Sequence, residues 1–401
     1  MTPKLEYMDA YILGAGFSKA MHPSMPVMKE LGPAVLEQLS LSSEELAPFR
    51  GDVEMWLSYL SDRQPWDTED VGLTNRALFV LASGAVRDVV EAASPASWDD
   101  LSSKSQDLLF RLAHHWTEQK SAVLTFNYDL IVETALKQEM SHYREQDLYA
   151  LPLTSRRDTA GMVVADESAD ENRPTLYKMH GSINWLYSGT TYPYAPIVLR
   201  ERSRDQHLYD DLQPVVVPPT SSKSPFYGNT ALRAQWHNAF QQLKAADRLI
   251  IMGYSMPTTD LQITSLLGLA MMDSTRIVVV DHSAQAAEHI QELFPHHDVD
   301  SRYAGPGAID RFIDESCDYV AHWRRDGFPD GNQQLTVNGQ SRIRPWTYDV
   351  NGADPTQKAV NDLGRYWPSA GNHWRTENKG DAGARLYVSR ADYQNCTDPW
   401  G

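Results

Sequence analysis

The chain has 401 residues, 53 acidic against 36 basic, for a formal net charge of −17. A field of that sign repels polyanions and disfavours general nucleic-acid binding without a local basic patch; Arg156-Arg157 and Arg200 to Arg204 read as solvated loops. Its two cysteines, Cys317 and Cys396, exclude a four-cysteine zinc site within one chain and a disulfide framework, and fit a reducing cytosol.

In chain order, the first element is an apolar strand, "DAYILGAG" (9–16), that runs straight into a glycine turn. Such a turn entering a helix offers backbone N–H groups to phosphate, with Gly14 allowing the bend and Gly16 a close approach. It reads equally as a strand-to-helix turn with no ligand. Four segments with apolar residues at three- and four-residue spacing follow: 27–39, 52–62, 73–93 and 105–119. They predict a helical insertion over about 25–119. A dehydrogenase fits poorly, because residues 27–40 look helical where a second strand would be expected to deliver an acidic residue.

Next comes "SAVLTFNYD" (121–129), which puts Asn127 and Asp129 at a strand end. Asn127 can donate and accept to a ribose hydroxyl or a water, or be a turn residue; Asp129 can cap the helix predicted over 129–139. A second insertion, roughly 141–240, mixes loops and short strands. Within it, "LYKMHGSINWLY" (176–187) places His180 between two strands, where an imidazole can take a proton from a hydroxyl or a water. Read singly, His180 is an ordinary core or surface histidine.

Two more apolar strands end in "MGYS" and "VVVD". Gly253 and Ser255 offer a backbone and a hydroxyl contact to phosphate or ribose. Asp281 can hold a ribose diol or cap the helix over 283–293. Continuous apolar runs alternating with helices predict strands covered on both faces, hence a doubly wound, Rossmann-like α/β parallel sheet. That sheet closes with "VDSRYAG" (299–305) and a helix over 308–323. From about Asp326 the composition turns to Gly, Asn, Trp and Tyr, read as a small β appendage or a weakly ordered tail. There is no 18-residue apolar run and no basic-plus-apolar leader, so the expectation is a soluble, cytoplasmic protein without a membrane partner.

GAGFS, TFNYD, MHGSINW, MGYS and VVVD, in that order, resemble the sirtuin fold. They are most similar to the sirtuin-like NAD-consuming domains of bacterial anti-phage defence proteins, including Thoeris-type effectors and sirtuin partners of HerA-type ATPases. The resemblance implies a domain over 1–325 and an appendage of unknown role over 326–401. It implies NAD as substrate, with Gly14, Ala15, Gly16 and Ser18 around the pyrophosphate. It further implies Asn127 and Asp129 by the nicotinamide ribose, His180 and Gly181 as the catalytic His-Gly, and Gly253, Ser255 and Asp281 as further contacts. Two departures from protein-deacylating sirtuins are visible. The four-cysteine zinc ribbon is missing, so no zinc is expected, and Met25-Pro26-Val27-Met28 stands where those enzymes carry Pro-Asp-Phe-Arg. The activity implied is NAD hydrolysis to nicotinamide and ADP-ribose by a homo-oligomer, controlled by an activating partner such as an ATPase or a defence sensor. The alternatives are NAD-dependent deacylation or ADP-ribosyl transfer, and a non-catalytic NAD or ADP-ribose sensor.

Overall fold

Asp9–Leu13 forms β1, every residue buried, and Gly14 ends it so abruptly that helix α1 (Ala15–Met21) starts at the next residue. The computed structural model describes residues 8–140, 145–149, 154–155, 173–187, 197–199, 213–220, 229–257, 260–317, 319–324, 332–337, 340–345, 375–378 and 383–388. The periodic segments become α2 (Met28–Gln38), α3 (Val53–Ser61), α4 (Glu69–Ala93) and α5 (Ser103–Gln119). Asp52 caps α3 by accepting from the amides of Glu54 and Met55, and the Thr68 hydroxyl accepts from Val71 at the start of α4. Then come β2 (Ala122–Thr125), α6 (Ile131–Glu139), β3 (Thr154–Ser155), β4 (Thr175–Lys178), β5 (Gly181–Tyr187), β6 (Val198–Leu199) and β7 (Gln213–Val216). Beyond them lie α7 (Thr230–Ala245), β8 (Arg248–Met252), α8 (Leu261–Ala270), β9 (Arg276–Asp281), α9 (Ala284–Leu293), β10 (Val299–Ala304) and α10 (Ala308–Ser316).

The main sheet has six parallel strands in the order β10-β9-β8-β1-β2-β4. The chain winds from β1 outward through β2 to β4, then returns beside β1 and winds the other way. The direction reverses between β1 and β8, the switch point where open α/β sheets collect ligands at the carboxyl strand ends. Both faces are covered. Ile12, Leu124, Ile251 and Val279 pack against Leu243 of α7, Ile263 and Leu267 of α8, and Ile290 of α9. Side chains alternate in a strand, so Lys178 points to the opposite face, where it meets Glu133 of α6. The α/β class and the helical segment after β1 are as the sequence indicates. A second, four-stranded sheet, β3-β6-β5-β7, is built from the later insertion.

Two sequence expectations change. Thr230–Ala245 is a sixteen-residue helix, where loops and short strands were expected up to about 240; Asn229 caps it by accepting from the amides of Ala231 and Leu232. The helix expected over 308–323 stops at Ser316. Its remainder becomes β11 (Tyr319–Arg324), a stretch of β-branched and aromatic residues paired on both sides.

The chain divides into two compact units: 1–96 with 116–309, which holds the parallel sheet, and 97–115 with 310–401. In the second, β11 joins β12 (Asn332–Val337), β13 (Gln340–Pro345), β14 (Arg375–Asn378) and β15 (Gly383–Val388) in an antiparallel sheet ordered β13-β12-β11-β15-β14. The buried guanidinium of Arg111 holds the Asp314 carboxylate at 2.8 Å and the carbonyls of Ile313 and Cys317. Burial opposes that charge, yet Asp107 and Asp314 hold its pKa above the ordinary value. Among the described residues, no helix is long and apolar enough to cross a membrane.

Candidate active site at the switch point

Parallel register sets the site. Leu13 lies beside Thr125 and Met252, Thr125 beside Lys178, and Met252 beside Val280. The segments that follow these strand ends, holding Gly14, Asn127, His180, Gly253 and Asp281, therefore share one edge of the sheet.

At the switch point two glycine turns interlock. Gly14 N–H donates to the Met252 carbonyl at 3.1 Å and Gly16 N–H to the Gly253 carbonyl at 2.9 Å. A Cβ on Gly14 would stand 2.5 Å from the Gly253 oxygen, and one on Gly253, whose φ is +62°, would stand 2.1 Å from the Phe17 nitrogen. The glycines are thus required by the chain's contact with itself. The sequence reading assigned their amides to phosphate, whereas both already donate within the fold.

Asn127 is held by this junction. Its Nδ2 donates to the Gly14 carbonyl and to Ser18 Oγ, each at 2.8 Å. Ser18 in turn donates to Asp129 Oδ2 at 2.6 Å, and Asp129 Oδ1 accepts from the Ile131 amide at 3.0 Å. The proton directions follow without ambiguity. A carbonyl only accepts, so the amide nitrogen must face Gly14; the serine proton belongs to the carboxylate, so Ser18 accepts from Asn127. Both amide protons are committed, and the half-buried Asn127 presents its Oδ1 as an acceptor. Asp129 stands one residue ahead of the Leu130 N-cap of α6, accepts from the first amide of that helix, and anchors this relay.

His180 lies in the β4–β5 turn and is buried. Its ring packs 5.0 Å from that of Phe126, the residue preceding Asn127, and 6.4 Å from Trp236; Phe126 also packs 4.9 Å from Tyr254. Trp236 is fixed by its Nε1 donating to the Met179 carbonyl at 3.0 Å, and Tyr254 by its hydroxyl donating to Asp260 at 2.7 Å. Gly181 has φ +81°, and a Cβ there would lie 1.9 Å from the Val215 oxygen, so only glycine lets β5 pair with β7 directly after the histidine. Asp281 Oδ1 accepts from the Ser283 amide at 2.9 Å, just ahead of α9 and not from an amide of the helix itself, and faces His282 Nδ1 at 3.1 Å. Ser255 is exposed beyond Gly253, and Ala15 begins α1 half-exposed.

Sequence reasoning missed what lies under this edge. Lys178, fully buried in β4, donates to the Asp129 carbonyl and pairs with Glu133 at 3.2 Å. The Tyr149 hydroxyl donates to the same Glu133 oxygen at 3.0 Å, and Asn184 donates to Tyr149 at 3.3 Å. Burial pushes the Glu133 carboxyl above its ordinary value, and Lys178 opposes the shift. The available signal was a lone charge inside each of two apolar runs, Lys178 in "LYKM" and Glu133 in "LIVETAL".

A family model described as a SIR2-like domain matches residues 121–293. Two solved structures, described as "Structural Basis for the Mechanism and Regulation of Sir2 Enzymes" and "Crystal structure of a Sir2 homolog-NAD complex", each share 13% identity with the chain. Each covers 77% of this chain, which spans 89% and 88% of theirs, at a TM-score of 0.38. No curated protein matches. The likeness is thus to a SIR2-like domain over residues 121–293, a span that contains Asn127, Asp129, His180, Gly181, Gly253, Ser255 and Asp281 and begins after Gly14, Ala15, Gly16 and Ser18.

Proposed function

We propose that the chain is a sirtuin-like NAD hydrolase that cleaves the nicotinamide–ribose bond. The observation that carries this reading is the fixed Asn127 amide at the switch point, both its protons committed and its Oδ1 left as an acceptor, with the aromatic-bedded His180 at the neighbouring strand end.

The chemistry follows from the bond. Nicotinamide leaves with the C–N electron pair as a neutral base, so departure needs no acid, and the ribose passes through an oxocarbenium-like state as in glycoside cleavage. Asn127 Oδ1 accepts from a ribose hydroxyl or the attacking water. His180 takes the proton of that water as its oxygen bonds the anomeric carbon. Phe126, Trp236 and Tyr254 line that end with apolar surface and exclude further water. The pyrophosphate rests at the turns of Ala15 and Ser255, with Gly14, Gly16 and Gly253 supplying rigidity to the junction and Asp281 lying toward the adenosine side. The products are nicotinamide and ADP-ribose. No zinc takes part in this scheme.

Unrestrained NAD loss would kill the host cell, so the reading includes control, through a homo-oligomer and an activating partner such as an ATPase or a defence sensor in anti-phage immunity. The test is to incubate the protein with NAD, with and without extract of phage-infected cells, and to measure nicotinamide by chromatography. Release that disappears in Asn127→Ala and His180→Ala, with circular dichroism unchanged, is the expected result. Tight NAD binding with no release under either condition would instead identify a sensor. Conversion of an acyl-lysine peptide to free lysine and O-acyl-ADP-ribose would identify a deacylase.

A further inference from the structure

The helix α4 is 25 residues long, or about 37 Å at about 1.5 Å per residue. Its C-terminal half is anchored by buried Ala82, Ala85, Val86 and Val90. Its first half, Glu69 to Leu81, has no buried residue at all, although it reads "EDVGLTNRALFVL". Leu73 is 59% exposed, Val80 63% and Leu81 61%. A helix that is apolar on its solvent side is normally covered by another surface.

The exposed stripe has an internal symmetry. Along one face, at three- and four-residue steps, it reads Asp70, Leu73, Ala77, Val80, Gly84, Arg87. Reversing the helix about a point between Leu78 and Phe79 exchanges Asp70 with Arg87, Leu73 with Gly84, and Ala77 with Val80. Every exchange sets a large side chain against a small one, or an anion against a cation. Gly84 offers real space, since a Cβ there meets nothing within 4 Å. Arg87, already clamped by Asp88, would meet the acidic first turn, Glu69 and Asp70, of the facing helix. Antiparallel alignment also opposes the two helix dipoles favourably.

We infer that α4 is the two-fold interface of a homodimer, packed antiparallel on the α4 of a second copy with Leu73 seated over the partner's Gly84. A face of this kind is self-complementary, as a closed two-fold contact requires. The inference does not rest on the proposed catalysis, and its readout is mass.

Light scattering during size exclusion of the full chain should give twice the 45.3 kDa of one copy. The double substitution Leu73→Glu/Val80→Glu should halve that mass with circular dichroism unchanged. Gly84→Leu should do the same, because its new side chain has open space in one copy and collides with Leu73 in two. Adding Leu73→Ala to Gly84→Leu should bring the dimer back. A monomeric wild type at micromolar concentrations overturns the inference, as does a dimer that survives the glutamates. A dimer lost to the glutamates but indifferent to Gly84→Leu overturns the antiparallel register.

Discussion

Gly253→Ala is the most direct probe of the switch point. The new methyl would stand 2.1 Å from the Phe17 nitrogen, 2.6 Å from the Gly16 carbonyl carbon and 2.9 Å from the Phe17 Cα, all backbone atoms that cannot rotate aside. The residue would also keep a φ of +62°, which costs an L-residue about 1–2 kcal/mol. Overpacking adds about 1–3 kcal/mol, and the bond from Gly16 N–H to Gly253 lengthens as the turns part, at about 1 kcal/mol. The sum is about 4 kcal/mol, or on the order of 10 °C in Tm for a unit of this size. The matching control is Gly268→Ala, on an exposed turn of α8 where a Cβ meets nothing within 4 Å; it should stabilise by about 0.5–1 kcal/mol. Differential scanning calorimetry on both proteins, with urea unfolding as a second measure, decides the matter. If Gly253→Ala unfolds within about 1 kcal/mol of the wild type, the interlocked turns are not what fixes Asn127, and the account of the site fails.

Lys178→Met should destabilise by about 3–5 kcal/mol by leaving Glu133 buried without its cation, and Lys178→Met/Glu133→Leu should recover a large part of that loss in urea unfolding. Equal stability of the single and double variants would mean that Glu133 and Lys178 are not coupled. Arg302 and Arg276 hold the Asp300 carboxyl below its ordinary 3.8, outweighing burial. Its contribution is therefore present above that value and lost as pH falls through the lowered folded one, so Asp300→Asn should flatten the acid limb of a Tm-versus-pH curve below about pH 4 and change the neutral limb only by a constant offset. Ser18→Ala removes one of the two groups that orient the Asn127 amide and leaves Asp129 without its hydroxyl donor. It should lower kcat for nicotinamide release by about 10- to 100-fold at nearly unchanged KM, with Ser18→Thr restoring part of the rate. A parallel loss in both parameters would instead mean that Ser18 binds substrate.

Period and punctuation alone made the chain's class legible. Five-residue apolar runs ending in Gly, Asn or Asp cannot be surface strands, and their alternation with helical spacing leaves little besides a parallel sheet wound on both sides. The same reading found α2 to α5, four of the five α-helices between β1 and β2, because each carries its own apolar stripe. It failed at Thr230–Ala245, whose polar residues hide a stripe that only packing on the sheet makes visible, and beyond Ser316, where pairing partners more than fifty residues away turn Tyr319–Arg324 into a strand. At the site, sequence could name Asn127, Asp129 and His180 but could not orient them, since nothing local says which end of an amide faces which neighbour. For Asn127 and Asp129 that was decided by Gly14 and Ser18, more than a hundred residues away along the chain, and the His180 ring is bedded on Phe126 and Trp236. Local spacing sets which face of an element is apolar, whereas the direction of a hydrogen bond and the need for a glycine depend on what the completed fold places opposite.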